Sequence, residues 1–314
     1  MSRSAIWIAA SFLLAFALLA VLFKVFKAQP QNVLDAATAV PPTVVLFVAV
    51  LSFANQLVGA MKWRISLREL SPDAKSISLF NMSEATAFGA LFGQFLPPQI
   101  SAAAARWAYS RQTHRAGAVV GSTLFEQLFD FVVLLAAAFS GLAILGFGYQ
   151  GIIAAFYFVL LAAGALAAVR IGLKGIGAAL HRSSSDSLRA LADAVLRAGS
   201  MSATNLLQLT GLSIIRLILV GLRACLIVIA IFPEIDPVVI ALGYPVTGLA
   251  MAIPIVPAGI GAAEWTWTGL MVLAGAAAAP AAAASVVVRL INMIALAIVL
   301  IGFGVLRLFR RALN

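Results

Sequence analysis

Long apolar runs separated by short polar segments dominate the chain. Six runs are long enough to cross a bilayer as helices, since a span of the ~30 Å hydrocarbon layer takes about 20 residues. They cover residues 5–23, 43–61, 119–145, 152–169, 206–232 and 281–304. The pattern predicts an all-α integral membrane protein with six full transmembrane helices.

Two further apolar regions, residues 79–118 and 237–275, are interrupted near their middle by proline and glycine. Proline removes a helical hydrogen bond and glycine permits conformations that other residues avoid, so each interruption predicts a turn. Irregular backbone at membrane depth is tolerated only where protein buries it or where it lines a cavity. Each region is therefore predicted to be a re-entrant hairpin of two short helices. The predicted turn residues are Pro97, Pro98, Pro254, Pro257, Gly259 and Gly261.

The basic residues support this topology. Suppose that the N-terminus is cytoplasmic and that both broken regions are re-entrant. Fifteen of the 21 Lys and Arg residues, including Lys62 and Arg307, then fall on cytoplasmic segments, and only Lys24 and Lys27 fall on segments at the outer face. The other four lie at membrane depth. Such a bias is typical of membrane proteins. We expect both termini in the cytoplasm. The net charge of +10 then reflects topology, and we expect no nucleic-acid partner.

The predicted elements follow the same order in two halves. Residues 1–149 contain two spans, a re-entrant hairpin and a third span, and residues 150–314 repeat that order with an added cytoplasmic amphipathic helix at 184–199. Because each half crosses the membrane three times, the second half is predicted to be inverted relative to the first. Inverted repeats are common in transporters, where broken helices meet near the midplane and form the substrate site.

Polar residues predicted at membrane depth form the candidate substrate site. Each ionised side chain there costs roughly 3 kcal/mol on insertion scales, so it needs a partner or a purpose. The candidates are Arg106, Glu126, Asp130, Arg216, Arg223, Glu264, Arg289 and Asn292. Arg106 and Glu264 follow the two turns with opposite signs, and the spans after them reverse the pattern. We hypothesise that these groups pair across a central polar cavity; static ion pairs that hold the bundle together are the alternative.

Other chemistry has little support in the sequence. His114, His181 and Cys225 are far apart and show no metal-ligand spacing. The chain contains no phosphate-binding loop, nucleophile elbow or zinc-protease motif. We expect no metal, no cofactor and no enzymatic activity.

The segments GQFLPPQISAAAARW, STLFEQLFD and IPIVPAGIGAAEW, in that order, resemble a flippase-like membrane family named after the transmembrane domain of lysylphosphatidylglycerol synthase. The most specific match is the pattern Pro257, Gly259, Gly261 and Glu264. Residues 101–103 are Ser-Ala-Ala where members often carry Gly-Gly-Asp, and Gln127 replaces the usual Arg. The resemblance implies a protein that moves lipids or polyprenyl-linked sugars between leaflets, in a bacterial cytoplasmic membrane. Since the chain ends at Asn314 without an aminoacyl-transferase domain, we expect no synthase activity.

These observations favour a lipid translocase. The headgroup of an anionic or zwitterionic phospholipid, or of a polyprenyl-phosphate lipid, would pass between the two hairpins, with arginines binding phosphate and carboxylates balancing the charge. The expected partners are membrane lipids. Two alternatives stay open: a non-transporting scaffold that partners a glycosyltransferase or a lipid-modifying enzyme, and an ion-coupled transporter of a small anion. The sequence leaves substrate identity and oligomeric state open.

Overall fold

The computed structural model describes residues 3–72, 76–181, 196–197, 199–252 and 257–313. These residues form α-helices and one short 3-10 turn at Pro257–Gly259, and no β-strand occurs among them. The helices in chain order are α1 (Arg3–Val25), α2 (Pro30–Ala39), α3 (Pro42–Leu70), α4 (Leu79–Phe92), α5 (Pro98–Ser110), α6 (Ala116–Phe147), α7 (Tyr149–His181), α8 (Ala203–Ile231), α9 (Pro237–Ala252), α10 (Ala262–Leu273) and α11 (Ala278–Leu313).

Four helices, α3, α6, α8 and α11, are long and apolar enough to cross a membrane. They contain the predicted spans 43–61, 119–145 and 281–304, and 206–232 except for its last residue, which confirms these as long apolar helices. A fifth candidate is α1 taken together with α2, which meet at a bend of 92°. The predicted spans 5–23 and 152–169 lie within α1 and α7. The protein is therefore an all-helical integral membrane protein.

Each interrupted region forms two short helices that pack against each other. In the first region the turn at 93–97 joins α4 to α5, where Pro98 occupies the first helical position that suits proline. In the second region α9 and α10 flank the 3-10 turn, and Pro254 lies outside the described residues. The arms have 12 to 16 residues, too few for a full span. We call α4 with α5 the first hairpin, and α9 with α10 the second.

The structure differs from one predicted boundary and describes little of one predicted helix. The first hairpin does not extend to residue 118, because α5 ends at Ser110 and α6 begins at Ala116 after a short break. The predicted amphipathic helix at 184–199 lies mostly outside the described residues. From its described part, the Arg197 guanidinium donates a hydrogen bond to the carbonyl of Leu70 over 3.4 Å.

Small residues bring the helices close together. A Cβ on Gly89 of α4 would lie 2.9 Å from the Cα of Ala102 on α5, so the arms of the first hairpin touch backbone to backbone. The four alanines at 281–284 are fully buried where α11 begins. Small residues at such contacts are a common device for packing membrane helices. The two halves interlock, since α3 packs on α8 and α11, and α6 packs on α9.

Candidate functional site

Two adjoining cavities lie at the centre of the bundle. The first cavity, of about 330 Å³, is lined mainly by the first hairpin and α6. The second cavity, of about 160 Å³, is lined mainly by the second hairpin, α8 and α11. Both cavities share wall residues that include Gln56 on α3, Gln94 in the first turn and Tyr244 on α9. The cavities are therefore neighbours separated by a few polar side chains.

All eight substrate-site residues predicted from the sequence line these cavities. Arg106, Glu126, Asp130 and Arg216 line the first cavity, and Arg223, Glu264, Arg289 and Asn292 line the second. Among the predicted turn residues only Pro98 contributes to a described wall. Pro97, Gly259 and Gly261 shape the backbone of the turns beside the cavities.

Arg106 and Glu126 form a buried ion pair beside the first cavity. Their side chains are 2% and 1% exposed, and Nη2 of Arg106 donates to Oε1 of Glu126 over 2.7 Å. The Arg106 guanidinium also lies 5.0 Å from the ring centre of Trp63, within cation–π range. Trp63 in turn donates its indole N–H to Ser122 over 3.2 Å. The pair joins α5 of the first hairpin to α6.

Glu264 and Arg289 form the corresponding pair beside the second cavity. Nε of Arg289 donates to one carboxylate oxygen of Glu264, and the backbone N–H of Gly261 donates to the other over 2.6 Å. The Arg289 guanidinium also donates to the carbonyl of Ala258 over 3.4 Å. One carboxylate therefore closes the turn of the second hairpin and ties it to α11.

The backbone of this turn explains the Pro-x-Gly-x-Gly-x-x-Glu pattern. Gly261 has φ +87°, and a Cβ there would lie 2.5 Å from the Cβ of Leu18 on α1. Only glycine combines that backbone conformation with so close an approach. Trp265 adds a hydrogen bond from its indole N–H to the carbonyl of Leu18 over 3.0 Å. The second hairpin is thus seated on α1 by the residues that carry the pattern.

The ion pairs do not join one hairpin to the other across the central cavity, which is the simplest form of the pairing hypothesis. Each hairpin bonds to the span that follows it in its own half, Arg106 to Glu126 and Glu264 to Arg289, rather than to the opposite hairpin. The sign of the hairpin residue reverses between the halves, as the sequence indicated. Both pairs flank the central cavities.

Asp130 links the two halves. One of its oxygens accepts a hydrogen bond from Arg216 on α8 over 2.6 Å, and the other accepts one from Lys62 on α3. Lys62 is fully buried and also donates to the carbonyl of Glu126 over 3.2 Å. Lys62 therefore lies on the buried face of α3, whereas the predicted span ended at residue 61 and left Lys62 on the segment after it. The helix continues to Leu70, and its lysine has partners on α6.

The spacing of polar residues in the sequence indicates that Lys62 lies on a helix face. The predicted span ended at residue 61 and did not include it. Ser52, Asn55, Lys62 and Ser66 recur at steps of three, seven and four, which places them on one face of a helix. In the structure all four are buried. A second unforeseen pair joins Arg307 of α11 to the buried Glu84 of α4, away from both cavities.

Arg223 differs from the other cavity arginines. Its side chain is 7% exposed, and Nη1 donates to the hydroxyl of Ser52 over 2.7 Å. No carboxylate among the described residues lies within ion-pair distance of it. The described residues also contain no His, Cys, Asp and Glu cluster suited to a metal ion.

The sequence matches the model of one known protein family. The sequence model of the lysylphosphatidylglycerol synthase TM region matches residues 8–301, which include both hairpins and all eight cavity residues named above. The chain belongs to this family. Comparison with curated proteins and with solved structures gives no match. Membership of the family confirms the resemblance and indicates a lipid-related function in the membrane.

Proposed function

We propose that this family member is a lipid translocase, in which a phosphate-containing headgroup passes through the two cavities while the acyl chains stay in the bilayer. One observation carries the proposal: exposed apolar residues lie in and beside the wall of the charged first cavity. Phe131 lines this cavity and is 45% exposed on α6. Phe95 and Leu96, at the neighbouring hairpin turn, are also exposed. A polar interior that opens beside apolar residues matches a headgroup with its attached chains.

The proposed topology is six full spans and two re-entrant hairpins in an inverted repeat of residues 1–149 and 150–314, with both termini in the cytoplasm of a bacterial cell. Two features support it. Each half has two long helices, then a pair of short helices and a final long helix, and the short α2 is an addition in the first half. Each half also has one ion pair between its hairpin and its last helix, with the signs reversed. Such repeats place substrate sites where the broken helices meet.

The cavity residues would act by binding rather than by covalent chemistry. Guanidinium groups bind phosphate oxygens through paired hydrogen bonds, and Arg106, Arg216, Arg223 and Arg289 line the path. Glu126, Asp130 and Glu264 hold Arg106, Arg216 and Arg289 in place and offset their charge. Movement would be downhill or ion-coupled, with no cofactor.

Leaflet exchange in proteoliposomes tests the proposal. Headgroup-labelled phospholipids are reconstituted with the full chain, and a membrane-impermeant reductant quenches the label in the outer leaflet only. We expect faster loss of the protected label with wild type than with Glu264→Gln or Arg289→Gln. Arg111→Gln serves as the matched control, since Arg111 is exposed and lines neither cavity.

The outcomes separate the candidate functions. Exchange that is lost in the folded cavity variants and retained in the Arg111 variant supports translocation through the site. Exchange at the same rate in all four proteins excludes this path. If a panel that includes polyprenyl-phosphate lipids shows no exchange with wild type, the translocase proposal fails and the scaffold becomes the better explanation.

A further inference from the structure

The two cavities contain more positive than negative groups. Four arginines line them, against three carboxylates, and the buried Lys62 adds a further cation on Asp130. Each carboxylate already has a protein cation as its partner: Glu126 binds Arg106, Asp130 binds Arg216 and Lys62, and Glu264 binds Arg289. Of the four arginines that line the cavities, Arg223 is the one without a carboxylate partner among the described residues.

The surroundings of Arg223 leave part of its guanidinium without a partner. Among the described residues only the hydroxyl of Ser52 accepts a hydrogen bond from it, and Nε is buried with no acceptor. Asn55, Gln94 and Asn292 line the same cavity, and the carboxylate in that wall, Glu264, is already paired with Arg289. A buried cation at membrane depth has a high free-energy cost unless an anion lies beside it and offsets its charge.

A phosphate group has the chemistry that this position lacks. Its oxygens accept paired hydrogen bonds from the planar guanidinium fork, and its charge offsets that of the arginine. Neutral amides such as Asn55 and Gln94 donate hydrogen bonds to further oxygens without adding charge. A headgroup ammonium, by contrast, finds no carboxylate that is free of a protein cation in the described walls.

We infer that the second cavity is a phosphate site centred on Arg223, and that it selects lipid headgroups with uncompensated negative charge over zwitterionic ones. The inference rests on the proposed translocase function and names its substrate class. Arg106, Arg216 and Arg289 hold the cavity together through their carboxylates, whereas Arg223 binds the substrate. The apolar surface at Phe131 favours a lipid phosphate over a free one.

Binding to the purified full-length protein in detergent tests this inference without any transport assay. The probes are short-chain phosphatidylglycerol, which is anionic, short-chain phosphatidylcholine, which is zwitterionic, and inorganic phosphate, each titrated by calorimetry. We expect wild type to bind phosphatidylglycerol at least about tenfold more tightly than phosphatidylcholine, a difference of ~1.4 kcal/mol. Arg223→Gln should remove that preference, Arg223→Lys should keep part of it, and Arg111→Gln should leave it unchanged.

Thermal unfolding without lipid gives a second readout that separates binding from folding. Because Arg223 has no carboxylate to leave behind, Arg223→Gln should unfold at the same temperature as wild type or at a higher one. Phosphatidylglycerol should raise the unfolding temperature of wild type and not that of the variant. A large loss of stability in lipid-free Arg223→Gln would mean that this arginine supports the fold, which would overturn the assignment.

The remaining outcomes are equally decisive. Equal binding of the two lipids by wild type, or a preference that survives in Arg223→Gln, overturns the inference. Inorganic phosphate that displaces phosphatidylglycerol at equal concentration overturns the lipid source and favours a small-anion site. Selective binding without leaflet exchange keeps the phosphate site and rejects translocation. Leaflet exchange without selective binding rejects the phosphate site and keeps translocation.

Discussion

The Arg106 guanidinium on α5 lies 2.7 Å from the Glu126 carboxylate on α6, and both side chains are almost completely buried. Glu264 on α10 and Arg289 on α11 repeat this relationship in the second half with the charges exchanged. In each case the ion pair fastens a short hairpin helix to the long helix that follows it. Such a pair gives little net stability compared with an apolar contact, but breaking it leaves an uncompensated charge in a low-dielectric interior.

Replacing Glu126 with Gln should destabilise the protein by about 3–5 kcal/mol, because it leaves Arg106 buried without its anion. The double variant Arg106→Gln/Glu126→Gln should lose less than the sum of the single variants, since it removes both charges. Denaturant unfolding in detergent micelles measures these free energies. The exposed Arg111→Gln control should change stability by less than about 0.5 kcal/mol. Additive losses in the double variant would show that the two residues act independently.

Gly261→Ala should destabilise the second hairpin. Its φ of +87° disfavours alanine, and the new Cβ would lie 2.5 Å from the Cβ of Leu18, so α1 must shift. We expect a loss of at least about 1–3 kcal/mol, the usual range for forcing a residue into a disfavoured conformation. Gly269→Ala is the matched control: Gly269 is exposed within α10, and no atom lies within 4 Å of the added Cβ.

The control change should be neutral or stabilising by up to about 1 kcal/mol, since alanine is the better helix former. Thermal unfolding of the two variants under the same conditions makes the comparison. Similar unfolding temperatures for Gly261→Ala and Gly269→Ala would mean that the turn can relax away from α1, and the proposed seating of the hairpin would be wrong.

Much of the fold could be predicted because its signals are local. Bilayer thickness fixes the length of an apolar run, and proline and glycine mark the two interruptions wherever the rest of the chain lies. The cavity residues could be found for a related reason. A charged residue such as Arg289 in an apolar segment must face inward, because lipid cannot solvate it. The length of the apolar runs and the energetic cost of charges in lipid were therefore enough to predict the long helices, the two interruptions and the cavity residues.

The features that escaped prediction depend on contacts between distant segments. The sequence shows that Arg106, Glu126 and Glu264 need partners, but the choice of Glu126 for Arg106 depends on how α5 packs against α6. Likewise the predicted span ends at residue 61, whereas Lys62 lies inside α3. Its ammonium donates a hydrogen bond to Asp130, which is 68 positions away in the sequence. The bend between α1 and α2 is also a matter of packing that no single segment specifies.

Lys62 and Asp130 should respond unequally to substitution. Lys62→Met removes one of two cations on the same carboxylate and leaves Asp130 bonded to Arg216, so we expect a loss below about 1.5 kcal/mol for a swap of similar volume. Asp130→Asn leaves the buried Lys62 and the partly exposed Arg216 without an anion and should cost about 3 kcal/mol, chiefly through Lys62.

Denaturant unfolding of the two variants and of their double variant tests this order. In the double variant the single remaining cation, Arg216, should make the loss smaller than in Asp130→Asn alone. A larger loss for Lys62→Met than for Asp130→Asn would contradict the shared ion pair and would mean that the lysine contributes mainly through its packing.

His114 should make stability depend on pH. It lies between α5 and α6, and burial lowers the pKa of its imidazole below the usual value. Arg64 and Arg68 line the same cavity, so the charged groups there are also positive. As pH falls through about 6.5, the unfolded chain takes up a proton that the folded protein resists, and stability falls. Unfolding temperatures at pH 7.5 and 5.5 should therefore differ more for wild type than for His114→Gln, whereas equal differences would show that this histidine is solvated in the folded state.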